Sequence, residues 1–199
     1  MDLGLKGKNA IVTGGSLGIG KAIARELAKE GVNVAIVSRS KDRLEAVARD
    51  LSKETGGKVI ALAADVTSKQ QVEAMVAEAD KQLGGVHILV NSGSSPGGSA
   101  TAIGPIETVV DEDLLLDFNT KYLGAVRAAR AVIPIMKNQG WGRIINISGT
   151  NARNAGNLSG GARNASMVHM TKTLAVQLGR FGITVNCVHP GTKIGRAHV

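Results

Sequence analysis

A chain of 199 residues, 43% hydrophobic and 20% charged, is long enough for one domain with a sizeable core and has ordinary globular composition. The net charge of +8 is spread over helical stretches, and one Trp, one Tyr and two Phe leave little to stack on bases; this argues against a nucleic acid partner and for a basic surface that attracts an anionic small molecule. The single cysteine, Cys187, excludes an internal disulfide; with no apolar leader after Met1 and no run as long as a membrane span, the expected location is cytoplasmic, with no membrane partner.

The first apolar run, 10–13, is short and β-branched, as a buried strand requires. It leads into Thr13-Gly14-Gly15-Ser16-Leu17-Gly18-Ile19-Gly20. Apolar residues at 19, 22, 23 and 27 then keep helical spacing, so a helix is predicted over 19–30. A second strand at 33–38 completes a βαβ unit. Glycines at such a strand-to-helix turn permit close approach of a phosphate to the helix N-terminus. Further strands are expected at 59–63, 88–91, 144–148 and 184–188, and helices at 41–54, 68–83, 111–138 and 160–180. The strands read as continuous apolar runs, so both sheet faces are covered. The expected fold class is α/β: a three-layer, doubly wound parallel sheet with its ligand crevice at the carboxyl ends of the strands.

The long helix carries Leu115, Phe118, Tyr122, Ala125, Ala129, Ile133 and Met136 on one stripe, and the later one Met167, Met170, Thr171, Leu174 and Leu178. Both stripes read as core. The segment 92–104 is rich in Gly, Ser and Pro, a loop of the kind that borders active sites. No two of the four histidines have metal-ligand spacing, so no metal is expected. Residues 193–199, Lys-Ile-Gly-Arg-Ala-His-Val, read as a translated sequencing adapter, so the domain is taken as 1–192 and the natural chain is expected to continue.

The turn at 13–20, Asp65-Val66, Asn91-Ser92-Gly93, the strand Gly142-Arg143-Ile144-Ile145-Asn146-Ile147-Ser148 and the run Asn186-Cys187-Val188-His189-Pro190-Gly191 together resemble the short-chain dehydrogenase/reductase family over residues 5–192. The resemblance implies an NAD(P)-binding Rossmann fold and hydride transfer between a nicotinamide and a carbonyl or alcohol substrate. It places Gly14, Ser16, Gly18, Ile19, Gly20, Asn91 and Gly93 beside the cofactor, Asp65 and Val66 at the adenine, and Pro190, Gly191 and Thr192 at the nicotinamide. It also implies a homo-oligomer, full length, paired through the 111–138 and 160–180 helices. An acid ending the second strand would favour NAD; Ser38 followed by Arg39 favours NADP, because a guanidinium suits a phosphate dianion. A surface charge opening a helix is the plainer alternative for Arg39.

The family's catalytic set is an Asn, a Ser and a Tyr-x-x-x-Lys. In this register Gly160 stands at the tyrosine position, Asn164 at the lysine, Lys121 at the asparagine and Gly149 at the serine, with Ser148 adjacent. Lys121 is the candidate proton donor, since a buried lysine readily loses basicity. Ser148 and Asn164, like Thr150 and Asn151, can hydrogen-bond a carbonyl but are poor acids, and Arg153 and Arg163 read as surface residues. Two readings stay open: an NADP-dependent oxidoreductase with an atypical site, and a catalytically impaired nucleotide-binding member that serves as a regulatory or oligomeric partner.

Overall fold

The computed structural model describes residues 2–95 and 98–191. Six strands, β1 (Asn9–Thr13), β2 (Asn33–Ser38), β3 (Val59–Ala63), β4 (Ile88–Asn91), β5 (Gly142–Ile147) and β6 (Ile183–Val188), form one sheet in the order β3-β2-β1-β4-β5-β6. Every neighbouring pair is parallel. The chain steps outward from β1 to β3, then returns to β4 on the other side of β1. The carboxyl ends of β1 and β4 therefore diverge into the crevice expected at such a reversal.

Alternate residues of the buried strands feed two cores. Ile11, Ala35, Val37 and Leu89 face one side, where Val72, Met75, Val76 and Ala79 of α3 (Lys69–Leu83) and Ala128, Val132 and Met136 of α5 (Gly124–Gln139) cover them. Ala10, Val12, Val34, Ile36, Ile88 and Val90 face the other, against Ala24 and Ala28 of α1 (Gly18–Lys29) and Leu44, Val47 and Leu51 of α2 (Lys41–Thr55). The small stripe Gly20, Ala24 and Ala28 lets α1 approach closely. Gly14 turns the chain out of β1 with φ of 68°, and a Cβ there would sit 2.7 Å from the Ser92 carbonyl oxygen.

The helix expected over 111–138 is three pieces: α4 (Asp111–Phe118), a π-helical turn at Asn119–Leu123, and α5. The wide turn breaks the 3.6-residue register, which corrects the single core stripe. Leu115 is 67% exposed, whereas Ala125, Ala129 and Met136 are buried. The last helix, α6, spans Leu158–Leu178. Its Thr171 Oγ1 donates to the Met167 carbonyl within the helix at 2.8 Å and accepts from Asn146 Nδ2 at 2.9 Å, the second bond fixing α6 to β5.

Candidate active site

A cleft of about 540 Å³ runs along the carboxyl ends of the strands. Its middle is the turn after β1: Gly14, Ser16, Leu17, Gly18, Ile19 and Gly20 all line it. Leu17 supplies no side-chain cap to α1, which leaves the orphan amides of the first turn to a ligand. On the β2–β3 side lie Ser38, Arg39, Ser40, Arg43, Asp65 and Val66. The Ser38 Oγ is buried without a hydrogen-bond partner, and neither Arg39 nor Arg43 pairs with a carboxylate among the described residues. Arg43, in the first turn of α2 and four residues beyond Arg39, carries no sequence motif of its own.

Asp65 Oδ1 accepts from Thr67 N and Oγ1 at 2.9 and 2.7 Å. Burial opposes its ionisation, but these bonds and the Arg39 and Arg127 charges outweigh it and hold the carboxyl below its ordinary value. Asp65 is therefore an anchored carboxylate at the far edge of the cleft.

On the β4–β5 side the cleft is walled by Ser92, Gly93, Ser94, Ser95, Thr120, Lys121, Ile147 and Ser148. Lys121 reaches it from the π turn, which is braced from outside. Arg127 donates to the Val66 and Asn119 carbonyls at 3.2 and 3.4 Å, and Gly124 packs so near Val66 that a Cβ would lie 3.0 Å from that side chain. Lys121 is only 8% exposed. Its Nζ donates to the Ser148 carbonyl at 3.0 Å and to Asn164 Oδ1 at 2.6 Å. Burial pulls its pKa down to about 8; the Arg163 guanidinium pushes the same way and Cys187 opposes.

The structure brings Lys121, Ser148 and Asn164 together but gives them different tasks. Ser148 Oγ donates to the Asn164 carbonyl at 3.0 Å, so its proton is committed to α6 and not to the cleft. Asn164 is buried and is not among the cleft residues; its side-chain oxygen holds Lys121, where the sequence reading has it bonding a carbonyl. Asn91 is also set back from the cleft: its Nδ2 donates to Asn146 Oδ1 at 2.9 Å, joining β4 to β5 and, through Thr171, to α6. Pro190 and Gly191 do not line the cleft, and Thr192 lies outside the described residues. Arg163, read from the sequence as a surface residue, is 5% exposed.

A second buried polar cluster fixes the rim. Asp117 accepts from Ser99 N at 2.9 Å, from Ser99 Oγ at 3.0 Å and from Ser159 Oγ at 2.6 Å, with Arg163 Nη1 3.8 Å away. Burial works to raise the Asp117 pKa, but the Ser159 and Ser99 bonds and the Arg163 charge more than offset it. One carboxylate thus ties α4, the loop after β4 and the first turn of α6. The sequence carries no periodic signal for such a cluster, because its members come from three separate segments.

No group of three or more His, Cys, Asp or Glu gathers as a metal site among the described residues, and no described helix is long and apolar enough to cross a membrane. Between α5 and α6 a separate apolar groove of about 280 Å³ is lined by Val126, Ala129, Arg130, Ile133, Pro134, Met170 and Leu174.

Residues 8–193 match the family described as short chain dehydrogenase. The chain is 33% identical over 187 residues to an NADPH-dependent reductase of Bacillus subtilis, covering 92% of this chain and 70% of that protein. Among solved structures it is similar to L-sorbose reductase from Gluconobacter frateurii complexed with NADPH and L-sorbose, with a TM-score of 0.91 and 35% identity over 98% of this chain and 73% of that one. It is also similar to an NAD+-bound xylitol dehydrogenase, with a TM-score of 0.87 and 28% identity over 94% of this chain and 71% of that one.

Proposed function

Because the chain belongs to the short-chain dehydrogenase family and is an oxidoreductase of it, we propose that it uses NADP(H) to interconvert a small carbonyl compound and its alcohol, with Lys121 as the proton donor. The observation that carries this reading is the position of Lys121: a buried amine with no carboxylate partner, lining the β4–β5 end of a cleft whose opposite end presents Arg39 and Arg43. Relatives bound to NADPH and to NAD+ both exist; the two arginines and the lack of an acid at Ser38 favour the phosphorylated cofactor here.

The residues present fit such a dinucleotide. The unpartnered Ser38 Oγ and the uncapped start of α1 are polar groups that a phosphate-rich ligand would satisfy. Gly14, Ser16, Gly18, Ile19 and Gly20 would hold the diphosphate, and Arg39 with Arg43 the 2′-phosphate. Asp65 and Val66 would border the adenine and Gly93 the middle of the cofactor. When bound, the nicotinamide ring supplies or accepts the hydride. In the reducing direction the Lys121 ammonium donates its proton to the substrate oxygen. The Ser148 carbonyl and Asn164 Oδ1 hold that ammonium against the cleft wall. A pKa near 8 keeps it mostly protonated near neutral pH while leaving it acidic enough to give the proton up.

The competing reading, a nucleotide-binding member with impaired catalysis, draws support from Ser148, whose hydroxyl proton is committed to the α6 backbone. One experiment separates the two. Binding of NADP(H) and NAD(H) is measured by calorimetry, and NADPH oxidation is followed with a panel of small ketones, aldehydes and sugars. Tight NADPH binding with turnover supports the enzyme reading. Tight binding with no turnover on any member of the panel supports the alternative. The groove between α5 and α6 suits pairing with a second copy of this chain; dimers by sedimentation that a charge reversal at the exposed Arg130, Arg130→Glu, disrupts would bear this out.

A further inference from the structure

Lys121 holds an unusual position for an amine. Both of its acceptors, the Ser148 carbonyl and Asn164 Oδ1, are neutral. None of the ion pairs among the described residues includes it. The titratable groups that bear on it are Arg163 on α6, which disfavours the ammonium, and Cys187 on β6, which acts in the opposite direction. A neutral amine has two N–H bonds, and two acceptors are in place. Its lone pair is then left without a donor on the protein side, on a side chain that lines an open cleft. A base whose hydrogens are both held and whose lone pair is not is arranged to attack an electrophilic carbon.

We propose that Lys121 is a covalent capture site for aldehydes that enter the cleft. The Nζ lone pair adds to the carbonyl carbon, and one N–H proton passes to the carbonyl oxygen, giving a carbinolamine. Loss of that hydroxyl together with the remaining N–H proton, as water, breaks the carbon–oxygen bond and leaves a carbon–nitrogen double bond to Nζ. No oxidant or reductant is needed, and the step is reversible. The ligand class is a small, unhindered aldehyde; a ketone forms the same adduct more weakly, because its carbonyl carbon is more crowded and less electrophilic. The cleft volume of about 540 Å³ admits such molecules without movement of the sheet. With a pKa of about 8, half of Lys121 is free amine at pH 8. A surface lysine of ordinary pKa, about 10.4, is then less than about 1% free, so the reactive fraction at Lys121 is about a hundredfold greater.

The test uses propionaldehyde with cyanoborohydride, which delivers hydride to the imine carbon and fixes the adduct as a secondary amine. The intact protein is treated across pH 6.5–9.5 and alkylation at each lysine is followed by peptide mass spectrometry. Lys121 is expected to be alkylated at least about ten times faster than the median lysine at pH 7.5, allowing for the weaker nucleophilicity of a less basic amine. Its rate, normalised to that median, should fall towards unity as pH rises above 8. Asn164→Asp places a carboxylate beside Nζ, holds the ammonium and should slow alkylation at Lys121 about tenfold at pH 7.5. Alkylation of Lys121 no faster than surface lysines in the unsubstituted protein overturns the proposal. So does an unchanged Lys121 rate in a folded Asn164→Asp protein. The readout uses no nicotinamide cofactor, so failure of the oxidoreductase reading and failure of this one are separate results.

Discussion

Lys121 Nζ donates to Asn164 Oδ1 across 2.6 Å, joining the π turn between α4 and α5 to the inner face of α6. A lysine and an asparagine meet here with the lysine on the α4–α5 side and the asparagine on α6. The contact keeps an amine at the cleft although α6 itself brings none.

Removing that amine should separate binding from chemistry. Lys121→Met should lower carbonyl reduction by about 100- to 10,000-fold, the usual cost of a positioned general acid, while NADPH affinity changes little. The proposed donor in the unsubstituted protein is the ammonium, present below about pH 8 and lost as pH rises through that value. The kcat of reduction should therefore fall on the alkaline side with that midpoint. Unchanged turnover in Lys121→Met would assign the acid to another group.

Asn164→Asp tests the same contact by charge. An adjacent carboxylate stabilises the ammonium and raises its pKa by about one to three units. The alkaline limb of the reduction profile should move up correspondingly. A limb that stays in place in a folded variant would mean Lys121 is not the titrating group.

Arg39 and Arg43 should act together on the cofactor phosphate. Each charge-assisted contact contributes about 1.5–3 kcal/mol, so Arg39→Ala should remove most of the preference for NADP over NAD and the double alanine variant the remainder. Calorimetric titration of both cofactors into both variants checks this. Equal affinities in the unsubstituted protein would remove the basis for it.

Grafting the family's usual set requires four changes together. Gly160→Tyr, Asn164→Lys and Gly149→Ser alone would set Lys121 against a second amine. The two glycines are also crowded by asparagines: a Cβ at Gly149 would lie 2.7 Å from Asn164 Nδ2, and one at Gly160 2.8 Å from the Oδ1 of Asn157, the cap of α6. Adding Lys121→Asn relieves the repulsion. The fourfold variant should reduce a generic ketone faster than the threefold one, read by NADPH oxidation.

Asp117 should matter for stability rather than for chemistry. Asp117→Ala removes three hydrogen bonds to a buried carboxylate and should cost about 3 kcal/mol or more, measured by urea unfolding. Its folded pKa is depressed, so its contribution is present above the ordinary value near 3.8 and is lost as pH falls through the folded value. The difference between the two proteins should accordingly narrow in acid.

The order of strands and helices, the glycine turn after β1 that lines the cleft and the arginine after β2 are all legible in the sequence, because each rests on local rules. Strand and helix periods, glycine at a positive φ and the residue that ends a strand are set within a few positions. Arg43 follows the same local rule, four residues after Arg39 in the first turn of α2. Which side chains share the cleft is not a local property. The π turn at Asn119–Leu123 leaves no mark in the periodicity, yet it places Lys121 against Ser148 and Asn164 and turns Leu115 outward. Asn91, Ser148 and Asn164 are all expected at a ligand. Ser148 does line the cleft, with its hydroxyl proton on the Asn164 backbone carbonyl, whereas the Asn91 side chain is bonded to Asn146 and that of Asn164 to Lys121. Hydrogen-bond partners distant in sequence are decided only when the helices dock, because a buried polar group takes whichever partner the docked surfaces bring within about 3 Å.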